Sequence, residues 1–311
     1  MNKKISVILL ITVFTIFFSC GTKSPSQTSE ESETPDKAER EKPTRAELVM
    51  NALLLAYPDK IEKIEFRNDD WALLLRDTWY YFAGGRMLPE HRLEHLEEYR
   101  PLPFYPYPAE LPPWTAPSDE DAARFSNWTA SRRDNTVRRS SFLIDALWQA
   151  ATRLETENNL ARITFLGKRT RVHHEIVEKL ASVETEIQNL AKTDSVIQTW
   201  INNIGTLEGW SWRDIADTQA RSYHSYGLAV DLLPRSMGGR QTYWLWTSQY
   251  RDDWWNVPYK ERYHPPDGVI KIFEEHGFVW GGKWAMFDTM HFEYRPEIMK
   301  LSELQSAAAA D

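Results

Sequence analysis

The stretch Ser222-Tyr-His224-Ser-Tyr-Gly227-Leu-Ala229-Val-Asp231, followed farther along by Asp288-Thr-Met-His291, supplies two imidazoles and two carboxylates. Three of these groups suffice to hold a zinc ion, and the fourth can work beside it. Catalytic zinc sites have that inventory: three N or O ligands, an open position for water, and a base within reach of the water. His224 and Asp231 stand too far apart for one helical turn, which suits a loop ligand followed by a strand ligand, with Gly227 supplying the turn. Gly227 and Ala229 are expected to keep the path to the metal open. The expected roles divide cleanly: His224, Asp231 and His291 bind Zn²⁺, and Asp288 takes a proton from the attacking water and passes it to the leaving amine. Two neutral imidazoles and one carboxylate leave such a site net positive, which lowers the pKa of water and polarises a carbonyl.

The elements that must carry these residues read as short strands and helices. Leu228 to Leu233 and Met290 to Tyr294 are apolar or alternating and bounded by Gly or Pro, as strands are. Alternation puts Met290, Phe292 and Tyr294 on one face and His291 and Glu293 on the other. Arg162 to Leu166 is a third candidate strand, and Phe278 to Trp280 a short aromatic one. Val172, Ile176, Leu180, Val183, Ile187 and Leu190 form one apolar stripe of a helix, and Asp194-Ser195 caps a second. A third helix is expected between Asp267 and Gly277, with Gly277 just past its end. Helices and short strands mix without a βαβ rhythm, so the fold class is α+β: a small antiparallel sheet carrying the zinc site, flanked by helices. The other six histidines read as ordinary: His91 and His95 in a charged helix, His173 and His174 opening another, His264 before prolines, His276 at a helix end.

Upstream, residues 44–148 are expected to form a mostly helical, irregular and aromatic-rich extension, and 149–303 the domain with the site. Helical hints lie at Ala46 to Leu55, Trp71 to Phe82 and Ser140 to Leu154, and the Pro/Tyr-rich run after Tyr99 reads as an irregular loop on a surface. Residues 304–311 read as a disordered tail. The first residues fix the compartment: Lys3 and Lys4 precede an apolar run from Ile5 to Phe18, too short for a comfortable membrane span, so 1–19 is expected to be an export signal. From 20 to 43 the chain is Ser, Thr, Glu, Lys and Pro with almost no apolar residues, a disordered tether. The net charge of −8 argues against nucleic acid unless charge is segregated, and a monomer is expected.

The metal motif resembles the M15 family of zinc peptidases, which includes D-alanyl-D-alanine carboxypeptidases, VanY-like and VanX-like enzymes and L-alanyl-D-glutamate endolysins. The Gly277 to Trp284 segment is also similar to the aromatic glycine segment before that family's last ligand. The resemblance covers roughly Ile163 to Pro296, and 44–148 has no counterpart in it. It implies His224, Asp231 and His291 as zinc ligands, Asp288 as the catalytic carboxylate, Ser222 beside the substrate, and Arg213 as the arginine that binds a peptide carboxylate. The family's dipeptidases and many of its carboxypeptidases carry Glu where Asp288 stands, whereas endolysin-type and some VanY-like members carry Asp. Phe17-Phe18-Ser19-Cys20 resembles a bacterial lipobox, which implies a diacylglyceryl anchor on Cys20, the chain's one cysteine. Gly21 in place of aspartate points to an outer membrane where the cell has one. Together these imply a lipid-anchored cell-envelope metallopeptidase acting on peptidoglycan stem peptides, in the first place a D,D-carboxypeptidase. The alternatives are an L-alanyl-D-glutamate-type endopeptidase and a non-catalytic peptidoglycan-binding lipoprotein.

Overall fold

Thr44 and Glu47 cap one another's backbone N–H groups in a capping box, which starts helix α1 (Arg45–Ala56) in the computed structural model. The structure describes residues 42–131 and 136–310; the expected export signal, lipobox and most of the tether lie outside the described residues. Helix α1 buries Val49, Met50 and Leu53 and leads into an antiparallel sheet in the order β1 (Ile61–Arg67), β2 (Asp70–Leu75), β3 (Thr78–Tyr81), β4 (Leu88–Pro89). Both of its first hairpins turn on two residues of positive φ, Asn68-Asp69 and Arg76-Asp77. This corrects the helix expected over Trp71 to Phe82. The second turn falls on Arg76-Asp77 rather than on a glycine, so no turn signal separated the two strands, and this part of the chain is richer in strand than expected.

Strand β5 (Tyr99–Arg100) opens the Pro/Tyr-rich run. That run does not simply wrap a surface, because Leu102, Phe104 and Tyr107 are buried, and the Tyr107 hydroxyl accepts from the Trp280 N–H at 2.9 Å. After α2 (Asp119–Ser131), β6 (Arg138–Arg139) pairs with β5 in parallel. The single helix expected over Ser140 to Leu154 is two, α3 (Phe142–Trp148) and α4 (Arg153–Asn158), because Gln149 adopts φ 48° between them.

Strands β7 (Leu160–Phe165) and β8 (Lys168–His173) form a hairpin through Leu166-Gly167. Val172 belongs to β8, so helix α5 (Val177–Ala191) starts later than its apolar stripe predicts, although Leu180, Val183 and Ile187 are buried as that stripe requires. Helix α6 (Ser195–Asn203) is capped by the Asp194 carboxylate, as expected. Then come β9 (Ile204–Glu208), β10 (Ala229–Pro234), α7 (Trp244–Thr247), α8 (Asp267–Glu275), β11 (Phe278–Trp280), β12 (His291–Tyr294) and α9 (Pro296–Ala310). Gly277, with φ 86°, follows α8 where a left-handed residue was expected.

The second sheet, order β11-β12-β10-β9, is antiparallel throughout, so the expected α+β architecture with a small antiparallel sheet is what the chain adopts. One apolar core runs from α1 through this sheet: Phe273 of α8 stacks on Phe292 of β12 at 3.9 Å, and α1 packs along α9. The tail expected to be disordered from residue 304 instead continues α9. Leu304 packs against the core and the alanines after it are the strongest helix formers, so nothing stops the helix there. Among the described residues no helix is long and apolar enough to cross a membrane.

Candidate metal centre

His291 and Asp231 are direct cross-strand partners of β12 and β10, which alone brings an imidazole and a carboxylate together. His291 Nδ1 lies 2.8 Å from Asp231 Oδ1. His224 arrives from a different kind of element, the 3₁₀ turn Tyr223–Tyr226 between β9 and β10. The Ser222 hydroxyl accepts from the His224 N–H to start that turn, and Gly227, with φ 72°, ends it. A Cβ at Gly227 would stand 2.6 Å from the His173 backbone nitrogen, so its smallness serves the approach of this turn to β8 rather than a path to the metal.

His224 Nε2 is 3.3 Å from His291 Nδ1 and 3.2 Å from Asp231 Oδ2. One ligand atom from each of His224, Asp231 and His291 lies within 4.8 Å of the others. The outer nitrogens are also settled. His224 Nδ1 donates to the Gly209 carbonyl at 2.6 Å, and His291 Nε2 faces Glu293 Oε2 at 3.1 Å. Such outer partners fix the tautomer and leave the inner nitrogens, Nε2 of His224 and Nδ1 of His291, free to ligate. The donor set of two imidazoles and a carboxylate fits a divalent zinc ion with an open position.

Glu293 begins a buried chain of charge. Its Oε1 accepts from Arg295 Nη1 at 3.2 Å, Arg295 donates onward to Glu297, and Glu297 accepts from the Tyr57 hydroxyl at 2.6 Å. His291, the second candidate ligand histidine, is therefore tied through α9 to the end of helix α1. Glu293 was placed on the His291 face by alternation, but Arg295 and Glu297 were missed. Their one available signal was the close spacing of charges in Glu293-x-Arg295-x-Glu297, which a solvated surface would show equally well.

The charges perturb one another strongly. Burial pushes Asp231 up, but His224 and His291 override it and hold the carboxyl far below its usual range. Burial alone would lower His291; Asp231 and Glu293 on its two sides raise it well above the usual value. Asp288 moves the other way: burial and the neighbouring Asp231 carboxylate push it up to about 7. Its Oδ1 is buried without a hydrogen-bond partner among the described residues. This carboxylate oxygen is close enough to Asp231 and His291 to feel their charges. Asp288 is held by its own N–H to the Gly281 carbonyl at 3.0 Å and by a bridge to Tyr243. A Cβ at Gly281 would stand 2.6 Å from the Asp288 carbonyl oxygen, which is why that turn needs glycine.

Arg213 is exposed, makes no ion pair among the described residues, and its charge reaches Asp288. Its backbone N–H donates to the Ser225 hydroxyl at 2.8 Å, which ties it to the His224 turn.

Residues 216–294 match the family model described as D-alanyl-D-alanine carboxypeptidase, of the M15 peptidases, and residues 49–104 match a domain of unknown function. No curated protein and no solved structure matches. The first match spans His224, Asp231, Asp288 and His291, so this segment of the chain is similar to the M15 peptidases. Helix α9, which follows the first matched segment, packs along α1, most of which falls in the second.

Proposed function

We propose that this protein is a zinc-dependent metallopeptidase that trims peptidoglycan stem peptides, with D-alanyl-D-alanine as the bond cut. The observation that carries the reading is the convergence of His224, Asp231 and His291 beside the unpartnered Asp288 oxygen, inside the segment that matches a carboxypeptidase family. A zinc ion held there would supply Lewis acidity, lowering the pKa of water and polarising the scissile carbonyl. His224 Nε2, an Asp231 oxygen and His291 Nδ1 would hold it. Asp288, kept near neutrality by burial, takes a proton from water and returns it to the leaving amine. Arg213 offers its free guanidinium to the peptide's terminal carboxylate, a fork geometry suited to carboxylates. Ser222 acts through the turn it caps, setting the position of His224. Attachment to a cell-envelope membrane through lipid on Cys20 belongs to the same reading and rests on the sequence motif alone.

The test is mass spectrometry of a muropeptide digest by zinc-loaded protein, with metal content measured alongside. Release of D-alanine is expected. Internal stem fragments without D-alanine would shift the reading to an endopeptidase, and no product at full zinc loading would end it.

A further inference from the structure

Five arginines, Arg92, Arg138, Arg139, Arg213 and Arg221, line one cavity of about 800 Å³ in a chain of net charge −8. Of these, only Arg221 pairs with an acid of the wall among the described residues. Asp145 is already paired with Arg221 at 2.6 Å, Glu98 lies 3.0 Å from the His95 ring, and Asp214 is exposed. Arg92, Arg138, Arg139 and Arg213 make no ion pair among the described residues, and the Nε of Arg92 and both Nε and Nη2 of Arg221 are buried without a hydrogen-bond partner. Burial pulls Arg139 down from its usual value, the mark of a guanidinium held out of water.

The cavity is built rather than incidental. Strands β5 and β6 pair Tyr99 with Arg138 and Arg100 with Arg139, and the Arg139 N–H donates to the Gln219 carbonyl at 2.9 Å. The Arg221 guanidinium lies over the Trp212 ring, 4.3 Å from its centre, and that of Arg92 lies 5.7 Å from the centre of the Phe142 ring. The cavity also adjoins the metal centre. Ser225, next to His224 in the chain, forms part of its wall, and Arg213, whose charge reaches Asp288, stands at that end for the terminal carboxylate, which leaves Arg92, Arg138, Arg139 and Arg221 for a second anionic group.

We infer that this cavity is an anion subsite, formed by residues 90–100 and 138–145 against 212–225, that holds a free carboxylate of an acidic peptide substrate away from the bond being cut. Guanidinium forks bind planar carboxylates in pairs of hydrogen bonds, and the aromatic walls suit the aliphatic stem behind the charge. The volume exceeds what one small anion needs and matches a peptide segment. The arginines that set this preference lie mostly outside the segment matching the peptidase family, so residues upstream of it would take part in choosing the substrate.

The inference rests on the peptidase reading, and its test separates the two. Two peptides of equal length ending in D-Ala-D-Ala are compared on the zinc-loaded full chain, one with a free carboxylate on an upstream residue and one with that group amidated. The acidic peptide should show the lower KM; Arg139→Gln, and independently the more exposed Arg138→Gln, should raise that KM roughly tenfold with kcat kept and leave the amidated peptide unmoved. Equal KM values for both peptides in the wild type, or equal losses for both in the variants, would overturn it. Should neither peptide be cut, the peptidase reading fails by itself, and calorimetric binding of the same pair still decides. Tighter binding of the acidic peptide, lost in Arg139→Gln, upholds the subsite, and equal binding refutes it.

Discussion

Asp231 and His291 stand opposite one another in the ladder between β10 and β12, and the contact of 2.8 Å between their side chains follows from that register. A slip of one residue in either strand would turn one of the two groups to the other face of the sheet. The third candidate ligand has no such guarantee. His224 depends on a short turn clamped by Ser222, Gly227 and the Gly209 carbonyl.

Asp288→Asn should retain the metal and lose turnover by about 10²- to 10⁴-fold, since the ligand atoms are untouched and only the proton acceptor is gone. Metal analysis together with kcat on a D-Ala-D-Ala peptide checks this. Parallel loss of metal and activity would make Asp288 a ligand or a structural group instead.

Glu293→Gln leaves all three ligands in place but replaces the carboxylate that faces His291 Nε2 and Arg295. Zinc affinity should fall about 10- to 100-fold, the usual effect of losing an outer-shell carboxylate. Competition with a chelator of known affinity reads it directly.

Arg295→Met leaves Glu293 and Glu297 buried without their shared cation, Arg295 itself being only 1% exposed. Breaking a buried pair from one side costs about 3–5 kcal/mol. Chemical denaturation should show a loss of that size. The double variant Arg295→Met with Glu297→Gln should recover part of it.

His173 gives the fold a dependence on acid. Burial holds it down to about 4, and both ring nitrogens are used in the neutral form: Nε2–H donates to the Trp148 carbonyl at 3.0 Å, and Nδ1 accepts from the Glu175 N–H at 3.3 Å. The unfolded chain, with this group at about 6.5, binds more protons between those two values. Its contribution is therefore complete above pH 6.5 and is lost as pH falls toward 4, by up to about 3 kcal/mol. Unfolding measured from pH 7 to pH 4 should fall less steeply in His173→Gln than in the wild type. Identical slopes would remove His173 as the cause.

The residue types at 222–231 and 288–291 were enough to read the residues that the fold brings together as candidate ligands, and the two strands that carry most of them, because a period of two and a turn glycine are local properties. Helix α6, its Asp194 cap and Gly277 after α8 were legible for the same reason. The β2–β3 hairpin was not, since its positive φ values fall on Arg76 and Asp77 and leave no glycine to read. The end of α9 was misread because alanine is silent in a pattern search yet favours helix once Leu301 and Leu304 are packed.

The sequence by itself determined which groups could bind a metal and which one could move a proton, since that depends on residue chemistry and short spacing. The tertiary structure decided what surrounds them. The Glu293–Arg295–Glu297–Tyr57 chain and the arginines gathered around one cavity join residues from distant parts of the chain, and long-range contacts of that kind leave no periodic trace in the sequence.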